Sequence, residues 1–194
     1  LVMAIMANGF VEGVSAAANL RASSEYLQFS VAGTTYSAMA PLVLLLAAVI
    51  IITLRRTLKL DSWAGPADSI LAAHTDSREL DIKKGLASTF AAFTSAAGGG
   101  SVGQYGPLVH FGATVGSLFQ RVGLTQISGD VFLGCGVAAA ISAGFNAPLA
   151  GVIFAHEAIL RHFSLRAVAP IFIASISASS FDQQLFPANQ STFQ

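Results

Sequence analysis

Apolar side chains run without a charge from Ala38 to Leu54, "AMAPLVLLLAAVIIITL", and stop at Arg55, Arg56 and Lys59. A run of this length is about the shortest that crosses a ~30 Å hydrocarbon core as a helix. Its basic end is expected in the cytoplasm. Leu1 to Leu20 reads as a second span, broken at Gly9 and Gly13, and the polar stretch from Arg21 to Thr35 joins the two on the outer side. Residues 61–84 carry the highest density of charge and predict a cytoplasmic connection around a short helix. Beyond them the apolar segments shorten: Gly85 to Ala97, Pro107 to Val122, Gly129 to Gly144, Pro148 to His162 and Leu165 to Phe186. Several are too short to cross a bilayer at 1.5 Å of rise per residue. Broken or half-length helices are tolerated in a membrane only beside protein or a water-filled cavity, a geometry common in transport proteins.

Composition strengthens the membrane reading. The 194 residues are 54% hydrophobic and 10% charged, against about 25% charged in ordinary soluble domains. Between Gly85 and Leu160 the charged side chains are Arg121, Asp130 and Glu157 alone. Small residues crowd the short segments, as in Gly112-Ala-Thr-Val-Gly116 and Ala138-Ala-Ala-Ile-Ser142. They let helices approach closely in lipid, where apolar burial no longer drives association. A formal net charge of zero points away from a nucleic-acid partner. The single Cys135 sits in an apolar run, is read as a small buried hydrophobe, and cannot form a disulfide within the chain. The chain opens on Leu1 with no basic segment and cleavage site after it, which predicts a piece of a longer protein.

Glycine gathers at "GGGSVGQYGPLVHFG", Gly98 to Gly112. Gly98-x-Gly100-x-x-Gly103 matches a dinucleotide fingerprint formally, but no strand precedes it and position 123 is glycine where an acidic residue is needed. Proline is favoured in a helix's first turn, so Gly106-Pro107 predicts that the loop delivers the chain to a helix N-terminus. Bare N–H groups and the macrodipole there suit an anion, and amides release it more readily than a lysine would. A packing loop without a ligand is the other reading. "FNAPLAGVIFAHE", Phe145 to Glu157, repeats the design, with Asn146 as a cap for the helix after Pro148. Glu157 is a functional candidate as an intramembrane carboxylate, or else a helix-end residue paired with Arg161. His110 reads as a packed histidine bonded to a neighbouring carbonyl. His156, Glu157 and His162 lack the spacing of a zinc helix, so no metal is expected.

Together these residues resemble the CLC family of chloride channels and chloride/proton antiporters. "GGGSVGQYGPLVHFGATVGS" is similar to that family's G-[KR]-E-G-P segment and following helix, and "GVAAAISAGFNAPLAGVIFAHE" to its Gly/Ala helix, FNAP-L-A-G turn and F-x-x-E helix. The resemblance implies an all-α membrane fold, a CLC-type inverted-repeat half of tilted, broken and half-length helices. Residues 1–194 would be the first repeat, with the C-terminal repeat absent. It also implies an anion pore, pairing into a homodimer through the helices around Phe145 to Phe186, no enzymatic activity, no cofactor beyond a transported chloride-like anion, and a multi-pass location in a bacterial inner membrane.

The departures from the family pattern carry the functional expectation. Residue by residue, Tyr105 stands where the family's gating, proton-accepting glutamate falls, and Gln104 at its basic position. A phenol ionises only at about pH 10, so it stays neutral and cannot imitate a bound anion at pH 7. It can donate a hydrogen bond to an anion, or block the path with its ring. Ala158, directly after Glu157, replaces the family's second proton-route glutamate. The family's G-S-G-I-P loop corresponds to "DSWAGP", Asp61 to Pro66, where Ser62 is the hydroxyl candidate and Asp61 would repel an anion facing it. The expected anion ligands are therefore Gly103, Gln104, Tyr105, Gly106 and Ser62, with Tyr105 as gate. One expectation is passive or voltage-driven anion transport uncoupled from protons. The alternative is a non-conducting homologue with an assembly or regulatory role, plugged by Tyr105. A soluble enzyme with a phosphate loop conflicts with the composition.

Overall fold

The computed structural model describes residues 1–23, 28–31, 34–37, 39–75, 80–103, 105–122 and 127–187. Helix α1 (Val2–Ser23) leads to a small antiparallel hairpin, β1 (Gln28–Val31) and β2 (Thr34–Ser37), with Gln28 opposite Ser37. Then come α2 (Met39–Thr57), α3 (Pro66–His74), α4 (Ile82–Gly98), α5 (Tyr105–Arg121), α6 (Gly129–Phe145), α7 (Pro148–Phe154) and α8 (Leu165–Leu185). A π-helical turn, Ala155–Leu160, continues α7. Apart from the hairpin the fold is all-α, as the sequence leads one to expect.

Helix α6 occupies the centre. Apolar or small on every side, it is buried from Val131 to Leu133 and from Gly136 to Ala143, the state expected of a helix with no polar face. Helices α1, α5, α7 and α8 surround it. The approach of α5 to α6 depends on missing side chains: a Cβ on Gly112 would strike the carbonyl oxygen of Gly136, one on Gly116 that of Phe132, and one on Gly136 that of Gly112. Across α7, a Cβ on Gly151 would come within 2.6 Å of the Ala138 carbonyl. These contacts between small residues are the ones anticipated from the pattern at 112–116 and 138–142.

Two expectations about the first helices are corrected. Helix α1 is unbroken through Gly9 and Gly13. Gly13 instead makes room for the Phe93 ring, which a Cβ would meet at 2.9 Å, and Phe93 packs edge-on against Phe10 at 5.3 Å. Second, among the described residues no helix is long and apolar enough to cross a membrane by itself, Ala38 to Leu54 included. From Met39 to Leu54 the apolar part of α2 rises about 24 Å, short of the ~30 Å core. Its outward surface is nonetheless apolar, with Leu42, Leu44, Leu45, Leu46, Val49 and Ile52 all exposed.

Candidate functional site

The glycine loop begins where α4 ends. Gly99 adopts the left-handed conformation (φ 99°), donating its N–H to Ala96 O at 2.9 Å, while the Gly100 N–H reaches Ser95 O at 2.8 Å. This is the glycine-closed helix end that satisfies orphan carbonyls. A Cβ on Gly99 would collide with the guanidinium of Arg21, so the last turn of α1 lays a cation across the loop. Nothing local in the sequence announces that contact. Gly103 (φ 66°) turns the chain again, and α5 starts at Tyr105 with Pro107 in its first turn. Gln104 lies outside the described residues.

Tyr105 does not project freely. Its ring stacks on Phe145 with centroids 3.9 Å apart and planes 24° from parallel. A Cβ on Gly144 would reach only ordinary contact with the tyrosine ring, at 3.6 Å, and would instead crowd Leu108 at 2.9 Å. Tyr105 is half-buried, packed against the core formed by α1, α5, α6 and α8. Gly106 is also half-buried, while Gly103 is exposed.

Asn146, expected to cap α7, does something else. It sits at the end of α6 in the left-handed conformation (φ 50°), and Ala147 occupies the cap position of α7 without a side-chain bond. The Asn146 Oδ1 accepts from Ser179 Oγ at 3.0 Å and from Gln183 Nε2 at 2.8 Å, tying the α6–α7 corner to α8. Asn tolerates the left-handed region better than other residues with a side chain. That conformation turns its carboxamide away from α7.

Ser62 is exposed, and its hydroxyl accepts a 2.8 Å hydrogen bond from Lys84 Nζ. Lys84 is therefore a cation of this loop that sequence reasoning passed over. Ala64 N–H donates to Ser88 Oγ (2.8 Å) and Gly65 N–H to Asp68 Oδ2 (2.8 Å), which pins the loop to α4 and to the first turn of α3. His110 is fully buried. Its Nδ1 pairs with Ser69 Oγ at 2.7 Å rather than with a carbonyl, and its Nε2 has no partner.

Glu157 is exposed on the π-helical turn and Ala158 is half-buried behind it. Glu157 forms no ion pair with Arg161 among the described residues; the neighbouring His162 instead approaches Asp130 at 3.7 Å. Nothing brings Ser62, Tyr105 and Glu157 into direct contact. They mark the loop before α3, the start of α5 and the end of the α7 segment.

Short helices that approach one another through Gly and Ala, with a left-handed glycine loop between α4 and α5, define a closely packed bundle of the kind small residues permit in a membrane. Residues 43–193 match the family described as "Voltage gated chloride channel", and the chain belongs to that family. It is 29% identical over 140 residues to a protein of Ralstonia nicotianae named as a "chloride channel protein ClcB-like", covering 70% of this chain and 33% of the relative. It is 27% identical to the "Voltage-gated ClC-type chloride channel ClcB" of Yersinia pestis (59% of this chain, 28% of the relative). The similarly named protein of Escherichia coli O9:H4 is 26% identical (58% and 27%). The chain thus spans about a third of the length of the curated relatives it matches.

Proposed function

We propose that the full-length protein conducts chloride-like anions passively across a bacterial inner membrane, uncoupled from proton movement. The backbone N–H groups between Gly103 and Gly106 at the start of α5, with Gln104, would hold the anion, and the Tyr105 ring would form part of the wall beside them rather than a gate across the path. The observation that carries this reading is the seat of the Tyr105 ring: it stacks on Phe145 and packs into the protein wall, which leaves the glycine loop at the head of α5 unobstructed by it. Tyr105 and apolar Ala158 leave those two positions without a carboxylate to carry protons. The hydroxyl of Ser62, already accepting a hydrogen bond from Lys84, would serve as an inner contact supported by a cation. Two such subunits would pair through the exposed apolar surface that includes Leu149, Ile153, Phe172 and Ile176.

The test is the full-length protein in liposomes under a chloride gradient, with potassium and valinomycin setting the voltage. Chloride efflux without change of internal pH is expected. Efflux tied to proton movement would remove the uncoupled mechanism. No efflux would favour the second reading, a non-conducting homologue, for which the absent glutamates are the supporting observation.

A further inference from the structure

We infer that Asp182 of α8 is the residue whose charge sets anion occupancy at the head of α5. Asp182 is 7% exposed. It lines, with Asn8, Tyr105, Gly144 and Asn146, a cavity of about 80 Å³. The carboxamide of Asn8 donates to its Oδ1 and, at 3.0 Å, to Ala4 O, so α1 holds the carboxylate in place. Both hydrogen bonds to Asn146 enter at its oxygen, so neither uses its carboxamide nitrogen.

A buried carboxylate has to be explained, because apolar surroundings penalise it heavily. One amide donor answers part of that cost. The phenol and carboxamide sharing its cavity can serve a second ligand. With the carboxylate ionised, an anion a few ångströms away is repelled. At an effective dielectric of about 20 and a separation of about 6 Å, such repulsion changes occupancy on the order of 100-fold. With Asp182 protonated the repulsion vanishes and an O–H donor takes its place. The other ionisable groups near this corner are few. Tyr105 faces it from α5. Glu12 lies one turn beyond Asn8 on α1 and has an interaction of its own, and Arg21 lies against Gly99. Residues 143–148 of α6 and α7 contain none, and Arg166 stands at the far end of α8.

This inference rests on the anion-pathway reading of the same site, so its test needs one readout that does not require flux. Chloride, with gluconate as the control anion, would be titrated against the thermal unfolding of the detergent-purified full-length protein at about pH 3 and pH 7.5, values either side of ordinary carboxylate titration. Wild type should bind chloride at least ~10-fold more tightly in acid, a conservative share of the repulsion above. Asp182→Asn should bind equally at both pH values with the acid-like affinity, and Asp182→Glu should keep the dependence. Asp182→Ser replaces the asparagine variant if that does not fold. A wild type without chloride-dependent stabilisation, or an Asp182→Asn protein with the wild-type pH profile, overturns the inference. Absent liposome flux alongside a pH effect that Asp182→Asn removes would instead overturn the pathway reading alone.

Discussion

Replacing Tyr105 by alanine separates a ring seated in the protein wall from a ring that plugs a pore. Truncating a fully buried aromatic side chain costs about 3–5 kcal/mol. Tyr105 is half-buried, which scales the loss to about 2 kcal/mol. Roughly 1 kcal/mol more comes from the stack on Phe145, whose 3.9 Å centroid separation is at the close end of aromatic pairs. Tyr105→Ala should therefore destabilise the full-length protein by about 2–3 kcal/mol while chloride efflux stays within about twofold of wild type. Tyr105→Phe keeps the ring and should cost less than about 0.5 kcal/mol. Phe145→Leu loses only the stack, and a double-mutant cycle between positions 105 and 145 should return a coupling of about 1 kcal/mol. The assays are denaturant unfolding in detergent and efflux from liposomes at matched protein density. The reasoning is refuted if Tyr105→Ala raises efflux tenfold or more with no loss of stability. A free plug gives that result; a ring packed on Phe145 does not.

The glycines of the α5–α6 contact and those beside side chains should respond differently to alanine. Gly136→Ala meets the Gly112 backbone carbonyl, which cannot yield, and should lower stability by about 1–3 kcal/mol in detergent unfolding. Gly134→Ala meets only the ends of Ile171 and Leu160 and should fall within about 0.5 kcal/mol of wild type because the gain in helix propensity offsets the crowding. Ser69→Ala strips His110 of its hydrogen-bond partner and should cost about 1–3 kcal/mol, most of it recovered by adding His110→Leu, again read by unfolding. For transport, Tyr105→Glu and Ala158→Glu together should bring proton movement that neither single change brings, measured as internal pH during chloride efflux. Protons moving in either single variant would contradict the two-position argument.

The short helices were legible because glycine and proline punctuate them. Helix α4 ends beside Gly99, α5 carries Pro107 in its first turn and α7 opens on Pro148. Each of these is a local rule that neighbouring residues carry out. Helix α1 runs unbroken through Gly9 and Gly13 because a glycine inside an apolar run need not break a helix; at Gly13 it is a close approach to the Phe93 ring, while a Cβ on Gly9 would meet nothing. Asn146 likewise departs from its local reading. An asparagine two residues before Pro148 has the pattern of a cap, but hydrogen bonds from Ser179 and Gln183 hold it against α8. The glycine loop itself could be read from five neighbouring residues, Gly103 to Pro107. What surrounds it could not.

That division has a physical origin. In an apolar bundle a polar side chain is costly unless it finds a partner, and the partners found here lie on helices distant in sequence: Asn8 with Asp182, Ser69 with His110, Arg21 across Gly99. Periodicity records which face of a helix is apolar but not which distant polar residue meets another. Several of these residues gather where the start of α5, the end of α6 and the start of α7 meet α1 and the last turns of α8. Elsewhere the same helices touch through Gly, Ala and aliphatic side chains. Asn8 bonds to Asp182, and Ser179 and Gln183 to Asn146, at this corner, and such bonds offset the desolvation cost that each polar group would otherwise add. The corner thereby ties α1, α6 and α8 together by polar contacts where the packing around it is apolar.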